Sequence, residues 1–414
     1  MLKIFIILSL LSINLFSSIK FGIDVLAENN YNLVENKNIA LLTNHSGRDI
    51  NGNSSISHFV NKSNINLKRI LVPEHGYFSA VPAGEHVENE KFMGIDLISL
   101  YGKERKPSKQ TLIDIDLVVI DIQDIGVRSY TYISTVFNVL DACAEFDIEV
   151  LVLDRPNPLG GYIVDGNIVD KGMESFVSLI PISYIHGLTI GELCLYINNE
   201  NLLSYNRKCK LEIVKMDNWK RWMIWDDTNI NWFPTSPHIP TVEAIKGNTA
   251  LGIIGELGII SIGIGTTLPF QYLGSPTFDR TQFKNTLKKI FPEIDIETPN
   301  INIDGLELIE AKFFPYYGMY SNKYCNGYLI KYSGKNDMKP FSAGLKILIT
   351  LREMYPKEFE TLNSNNKAIA MFKKVTGTEL IWSYLNNKKY NLIFEKVENE
   401  RLEFILKRNK YLLY

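Results

Sequence analysis

Four short apolar runs in the first half of the chain each end in a cluster of polar residues. NIALL is followed by Asn44, His45 and Ser46, KRILV by Glu74 and His75, DLVVI by Asp121, Gln123 and Asp124, and EVLVL by Asp154, Arg155 and Asn157. Runs this short and rich in Val, Ile and Leu predict buried strands. Between the last two, Ile133, Val136, Phe137, Leu140 and Ala144 recur at helical spacing, so a crossover helix is predicted over 131–146. A second helix is predicted near 54–61. Strands alternating with helices imply a parallel sheet covered on both faces. In open sheets of this kind a ligand sits beyond the carboxyl ends of the strands. The four polar clusters are therefore expected to face one crevice.

The stretch 76–112 is long and polar and leaves the strand end that carries Glu74; it is expected to be a binding loop or lid. Further on, HGLTIGEL predicts a helix capped near Thr189, and LEIVKMDNW a strand. WFPTSPHIPTVEAI breaks regular structure, which places a domain boundary near Lys246. Beyond it come a Gly/Ile-rich run over 252–265, a strand at CNGYLIKYS, and helices near 342–354 and 368–375. The expected class is α/β, with domains over 19–246 and 247–414, the second a smaller mixed α/β (α+β) unit.

A length of 414 residues agrees with two cores. The net charge of -2 gives no reason to expect nucleic acid or an anionic membrane as partner. Residues 1–18 read as a signal peptide: Lys3, a short apolar run, then small residues at Ser17 and Ser18. A periplasmic or secreted protein is expected, with no stable membrane insertion after cleavage. Cys143, Cys194, Cys209 and Cys325 form no zinc-type spacing; export would allow one disulfide, but Cys143, on an apolar helical face, is expected to be a buried free thiol.

Glu74 stands where a buried strand leaves the sheet, and partial desolvation there suits a general acid. Breaking a glycosidic bond takes two carboxyls. Glu85, Asp121 and Asp124 are the candidates to join Glu74. Asp121, Gln123, Asp124, Arg128 and Tyr130 crowd one strand exit, with Arg128 offering a fork for a carboxylate, or else pairing with Asp124. His75 and His86 with nearby carboxyls are the alternative, a metal-dependent hydrolase, although the fixed spacing of such sites is missing. Neither GxGxxG, GxxxxGK[ST] nor GxSxG occurs where nucleotide binding or serine chemistry needs it.

LLTNHSG, LVPEHG, AGE, SLYG, IDIQDIGVRSYTYIST, LDRPNPLGG, HGLTIGEL, SPHIPT, GTTLPFQYLGSP and the terminal YLLY together resemble the NamZ family of exo-β-N-acetylmuramidases. The resemblance spans about 22–414. It implies a Rossmann-like first domain and release of N-acetylmuramic acid from non-reducing ends of peptidoglycan fragments, without metal or organic cofactor. It maps a catalytic carboxyl onto Glu74 and the glutamate of AGE onto Glu85; Glu85 or Asp121 is the expected second carboxyl. Asn44, His75, Gln123, Asp124, Arg128, Tyr130, Asn157 and Glu256 are the expected sugar-binding residues. Two segments depart from the family pattern: Tyr77-Phe78-Ser79 lacks an Arg-Gly pair, and GELGIISIGIGT keeps Glu256 but loses a later Glu and Arg. A non-catalytic muropeptide-binding protein is the remaining alternative.

Overall fold

The structure is a computed structural model and describes residues 18–60, 62–332, 334, 336–362, 364 and 366–414; the expected signal peptide, but for Ser18, lies outside the described residues. The first sheet is built from β1 (Asn38–Leu42), β2 (Asn66–Val72), β3 (Glu90–Phe92), β4 (Ile95–Ser99), β5 (Leu117–Ile120), β6 (Glu149–Leu153) and β7 (Leu211–Val214). Its order is β3-β4-β2-β1-β5-β6-β7. Every pairing is parallel except β3 with β4. Leaving out β3, the chain runs outward from β1 to β4, returns to β5 and runs outward again, which is the Rossmann-like order.

Alternation along these strands serves two cores. Ala40, Leu42, Val118, Ile120, Val150 and Val152 pack with α3 (Tyr132–Phe146) and α4 (Ile190–Asn199) on one face. Ile39, Leu41, Leu117, Val119, Leu151 and Leu153 pack with α1 (Gly22–Glu28) and α2 (Ser55–Val60) on the other. Burial on both faces is why these strands read as unbroken apolar runs. The helix predicted over 131–146 is α3. The stretch 76–112 is a loop only in part, since β3 and β4 within it extend the sheet beyond β2.

The second sheet is antiparallel, in the order β8-β11-β10-β9, from β8 (Tyr272–Ser275), β9 (Ile301–Ile303), β10 (Leu306–Phe313) and β11 (Cys325–Tyr332). Around it lie α5 (Val242–Gly255), α6 (Arg280–Ile290), α7 (Pro340–Met354), α8 (Pro356–Leu362), α9 (Asn366–Thr376), α10 (Leu380–Asn386) and α11 (Tyr390–Arg408). Lys246 falls inside α5. A side chain on Gly344 would meet the Ala250 carbonyl at 2.4 Å, so glycine is what lets α7 lie this close to α5.

The two parts are tied at several points. Asp165 accepts the Ser342 N–H (2.8 Å) and hydroxyl (2.8 Å) at the start of α7. The chain end returns to the first sheet, where the Tyr414 hydroxyl donates to Asp154 at 2.7 Å. All four cysteines are buried and free.

Candidate active site

The sheet order reverses between β1 and β5, where a ligand is expected first. That place is filled. Asp121 is fully buried; Arg155 grips it through Nε at 2.5 Å and Nη2 at 3.0 Å, and the Ser55 hydroxyl donates to it as well. Only about 10 Å³ of space remains beside Arg155, Gln123 and Trp232.

The open cleft lies toward β2 and the second domain. Two adjoining hollows of about 350 and 370 Å³ share Ser129, His238, Asn248, Glu256, Phe270 and Val375. Glu74, His75, Tyr101, Tyr130 and Thr131 line the first hollow. Ile260, Ile262, Ile264 and Met319 line the second. A hollow of about 580 Å³ lies elsewhere, among Phe291, Lys339, Lys346 and Glu398. Its lysines are matched internally by Glu398, Asp304 and Glu293, so no charge there awaits a ligand.

Glu74 is aimed by its turn. His75 and Gly76 both have φ of +71°, a conformation that non-glycine residues seldom hold and that is found at functional sites. Its two carboxyl oxygens accept the Gly84 N–H at 2.9 Å and the Thr131 hydroxyl at 2.6 Å. Thr131 immediately precedes α3, yet its side chain makes no cap bond to that helix because it turns to Glu74. The Tyr101 hydroxyl also meets Glu74; burial, and then the Glu74 charge, push that phenol up to about 12. Donors on both oxygens suit an acceptor-only carboxylate rather than the general acid expected from the sequence. His75 Nδ1 is 2.7 Å from the Val81 carbonyl, which can only accept, so Nδ1 carries a proton; Nε2 has no hydrogen bond among the described residues.

Across the cleft, Glu256 follows the last turn of α5. Asn248, Gly252 and Glu256, four residues apart, present one face of that helix to the cleft. The Glu256 carboxyl has no hydrogen bond or ion pair among the described residues, and burial raises it above the usual range. His238, stacked on Tyr317 with ring centroids 6.4 Å apart, is lowered by burial and by His75.

Of the residues expected from sequence, Glu74, His75, Tyr130 and Glu256 line the cleft. Tyr101, His238 and Asn248 line it as well and were not singled out, although SLYG and SPHIPT carry the first two.

Arg128 corrects an expectation. It is 0% exposed, and its guanidinium donates to Ser178 Oγ (3.2 Å) and to the carbonyls of Asn167 (2.5 Å), Ile182 (2.7 Å), Val375 (3.3 Å) and Thr376 (2.7 Å). Nothing is left to clamp a ligand, and Asp124 is not its partner. Asp124 instead accepts the Gly126 N–H at 2.7 Å and lies 3.5 Å from His186.

Asp121 is withdrawn as the second carboxyl because Arg155 neutralises it. Gln123 donates to the Asp124 and Pro156 carbonyls, and Asn157 bridges the Leu188 carbonyl and the Leu159 N–H, so both hold turns. Asn44 donates to Ser79 and to Tyr132, beneath the cleft. Glu85 is exposed on the loop beside Gly84 and does not line the cleft. His86 pairs with Glu88 at the surface, and no three metal-ligating side chains converge among the described residues.

A Rossmann-like sheet and a second domain that bring two carboxyls to one sugar-sized cleft define a candidate glycoside hydrolase. The family model described as Exo-beta-N-acetylmuramidase NamZ matches residues 39–243 with its N-terminal part and 249–414 with its C-terminal part. The chain is 33% identical over 399 residues to the peptidoglycan beta-N-acetylmuramidase NamZ of Bacillus subtilis (strain 168), covering 96% of this chain and 91% of the relative. Two crystal structures of DUF1343 family proteins from Bacteroides fragilis NCTC 9343 share the fold. One has a TM-score of 0.86 at 34% identity, the other 0.71 at 27%, and each match covers 96% of this chain and 99% of the other. The chain belongs to the NamZ family of exo-β-N-acetylmuramidases, which are glycoside hydrolases.

Proposed function

We propose that the cleft removes a terminal N-acetylmuramic acid unit from the non-reducing end of peptidoglycan fragments, with Glu256 as proton donor and Glu74 as the opposing carboxylate. The observation that carries this reading is the contrast between the two carboxyls. Glu256 is desolvated and unpartnered, so burial keeps it protonated to higher pH. Glu74 receives N–H and O–H donors on its two oxygens. Glu256 passes its proton to the glycosidic oxygen as that bond breaks. Glu74 faces the positive charge that develops at the sugar carbon and supplies the nucleophile, directly or by activating water. Two adjoining hollows closed by a second domain suit a chain end better than the middle of a polymer.

The test is mass analysis of the products from a muramic acid–glucosamine disaccharide and from a longer glycan. Free N-acetylmuramic acid from both, with the glycan shortened from one end, is expected; internal cleavage would refute the exo reading. Such a substrate lies outside the cytoplasm, which supports export directed by residues 1–18. An N-terminally shortened protein in the periplasmic or culture fraction is the expected outcome.

A further inference from the structure

The muramic acid reading creates a need that the cleft lining does not meet. Muramic acid carries a lactyl ether ending in a carboxylate, yet among the described residues no Lys or Arg lines either hollow, and the Glu74 carboxylate does line one. A carboxylate entering such a site without a cation would be repelled and desolvated at once. The arginine expected to serve it, Arg128, is fully occupied elsewhere.

A guanidinium stands beside one of the lining residues, Tyr101. Arg105 lies in the loop after β4 and is exposed. Its guanidinium carbon is 4.2 Å from the Phe176 ring centroid and 5.3 Å from that of Tyr101. Those rings are themselves in contact, with centroids 5.8 Å apart. Tyr101 lines the cleft and meets Glu74, and Val177, next to Phe176, lines the cleft too. Two aromatic faces therefore hold the guanidinium, and one of them, Tyr101, lines the Glu74 hollow. Among the described residues its N–H donors have no carboxylate or carbonyl partner, in contrast to its neighbour Lys106, which is bound by Asp141 and Glu145. A cation positioned by rings and not neutralised is poised for an anionic group of a ligand.

We propose that Arg105 is the residue that recognises the lactyl carboxylate and so sets the preference for muramic acid over sugars that lack it. The inference rests on the proposed muramic acid substrate and names the contact that selects it. Recognition is by a planar, bidentate fork, which the flat guanidinium offers and an ammonium does not. Phe176 and Tyr101 act as positioning residues for it.

The experiment compares two chromogenic N-acetylmuramic acid glycosides, one with the free lactyl carboxylate and one with that carboxylate converted to its methyl amide. The quantity read is the ratio of kcat/KM between them, in wild type, Arg105→Gln and Arg105→Lys. Arg105→Gln is expected to lower the carboxylate-to-amide ratio by about tenfold or more, the scale of one lost charge-assisted contact. The change should fall mainly on KM, because the lactyl group is remote from the bond that breaks. Arg105→Lys should restore only part of the ratio, and the wild-type ratio should shrink as salt rises. An unchanged ratio in Arg105→Gln overturns the proposal, whether both rates stay the same or fall together through lost packing on Tyr101. If wild type cleaves neither glycoside, the muramic acid reading itself fails, and that is a different result from an active wild type with an unmoved ratio.

Discussion

Replacing Arg128 by Met keeps much of its volume and removes its charge and all its donors. Three of its acceptors, Ser178, Asn167 and Ile182, belong to the first domain, and two, Val375 and Thr376, to the end of α9. Hydrogen bonds from a charged donor contribute about 1.5–3 kcal/mol each, offset by several kcal/mol for burying a guanidinium. Burial already pulls this one down to about 10, so it stays charged at neutral pH. The net cost of leaving its buried acceptors unmatched is about 3–5 kcal/mol, the usual scale for breaking such a network. With an unfolding entropy of about 2 cal/mol/K per residue over 414 residues, that is a Tm drop of about 4–6 °C if the chain melts as one unit. Because Val375 also lines the cleft, KM should rise for carboxylate and amide substrates alike. Differential scanning calorimetry with parallel kinetics is the assay. An unchanged Tm together with a selective loss on the carboxylate substrate would refute the structural assignment and return Arg128 to the sugar.

Other outcomes follow from the same geometry. Glu256→Gln should lose about 10²-fold or more in kcat on a poor leaving group but far less on dinitrophenol, which needs no proton; equal losses would remove it as the acid. Wild-type activity should fall on both sides of an optimum, and the alkaline limb should disappear in Glu256→Gln; an unaltered limb would assign it to another group. Asp165 is raised by burial from 3.8 to about 6 in the folded state, which therefore holds more protons than the unfolded chain between those values. Its contribution is fully present below pH 3.8 and is lost as pH rises through about 6, by at most about 3 kcal/mol. Asp165→Asn should flatten the dependence of Tm on pH in that window, and a slope equal to wild type would contradict the assignment.

The first sheet was legible because its strands are buried on both faces and read as unbroken Val/Ile/Leu runs, and α3 because its apolar stripe is one-sided. The strands β3 and β4 were hidden in a polar stretch, being short and lying at and next to the sheet edge, with only Leu97 and Ser99 buried between them. Helix α5 escaped because ten of its fourteen residues are buried, which leaves no polar face to mark a period. The sequence around its end read only as a Gly/Ile-rich run, and Glu256 was seen only through family resemblance. In the site, the strand-end rule located the right edge of the sheet but not which polar residues reach open space. Asp121, Asp124, Arg128 and Asn157 have the composition of a ligand site and are used to hold one another, turns and carbonyls in place. Pairing of that kind depends on contacts distant in sequence, such as Asp121 with Arg155 and Arg128 with Thr376, and no local pattern announces it. Arg105, in a charged loop, had no signal apart from its place beside Tyr101.

The most direct test of the account is turnover of a chromogenic N-acetylmuramic acid β-glycoside beside its N-acetylglucosamine analogue, by wild type and Glu74→Gln. Release from the muramic acid compound in clear preference to the analogue, with about 10²-fold or greater loss of kcat in a folded Glu74→Gln, is what the cleft predicts. Near-normal turnover by Glu74→Gln, or no release from the muramic acid compound by wild type, would contradict it.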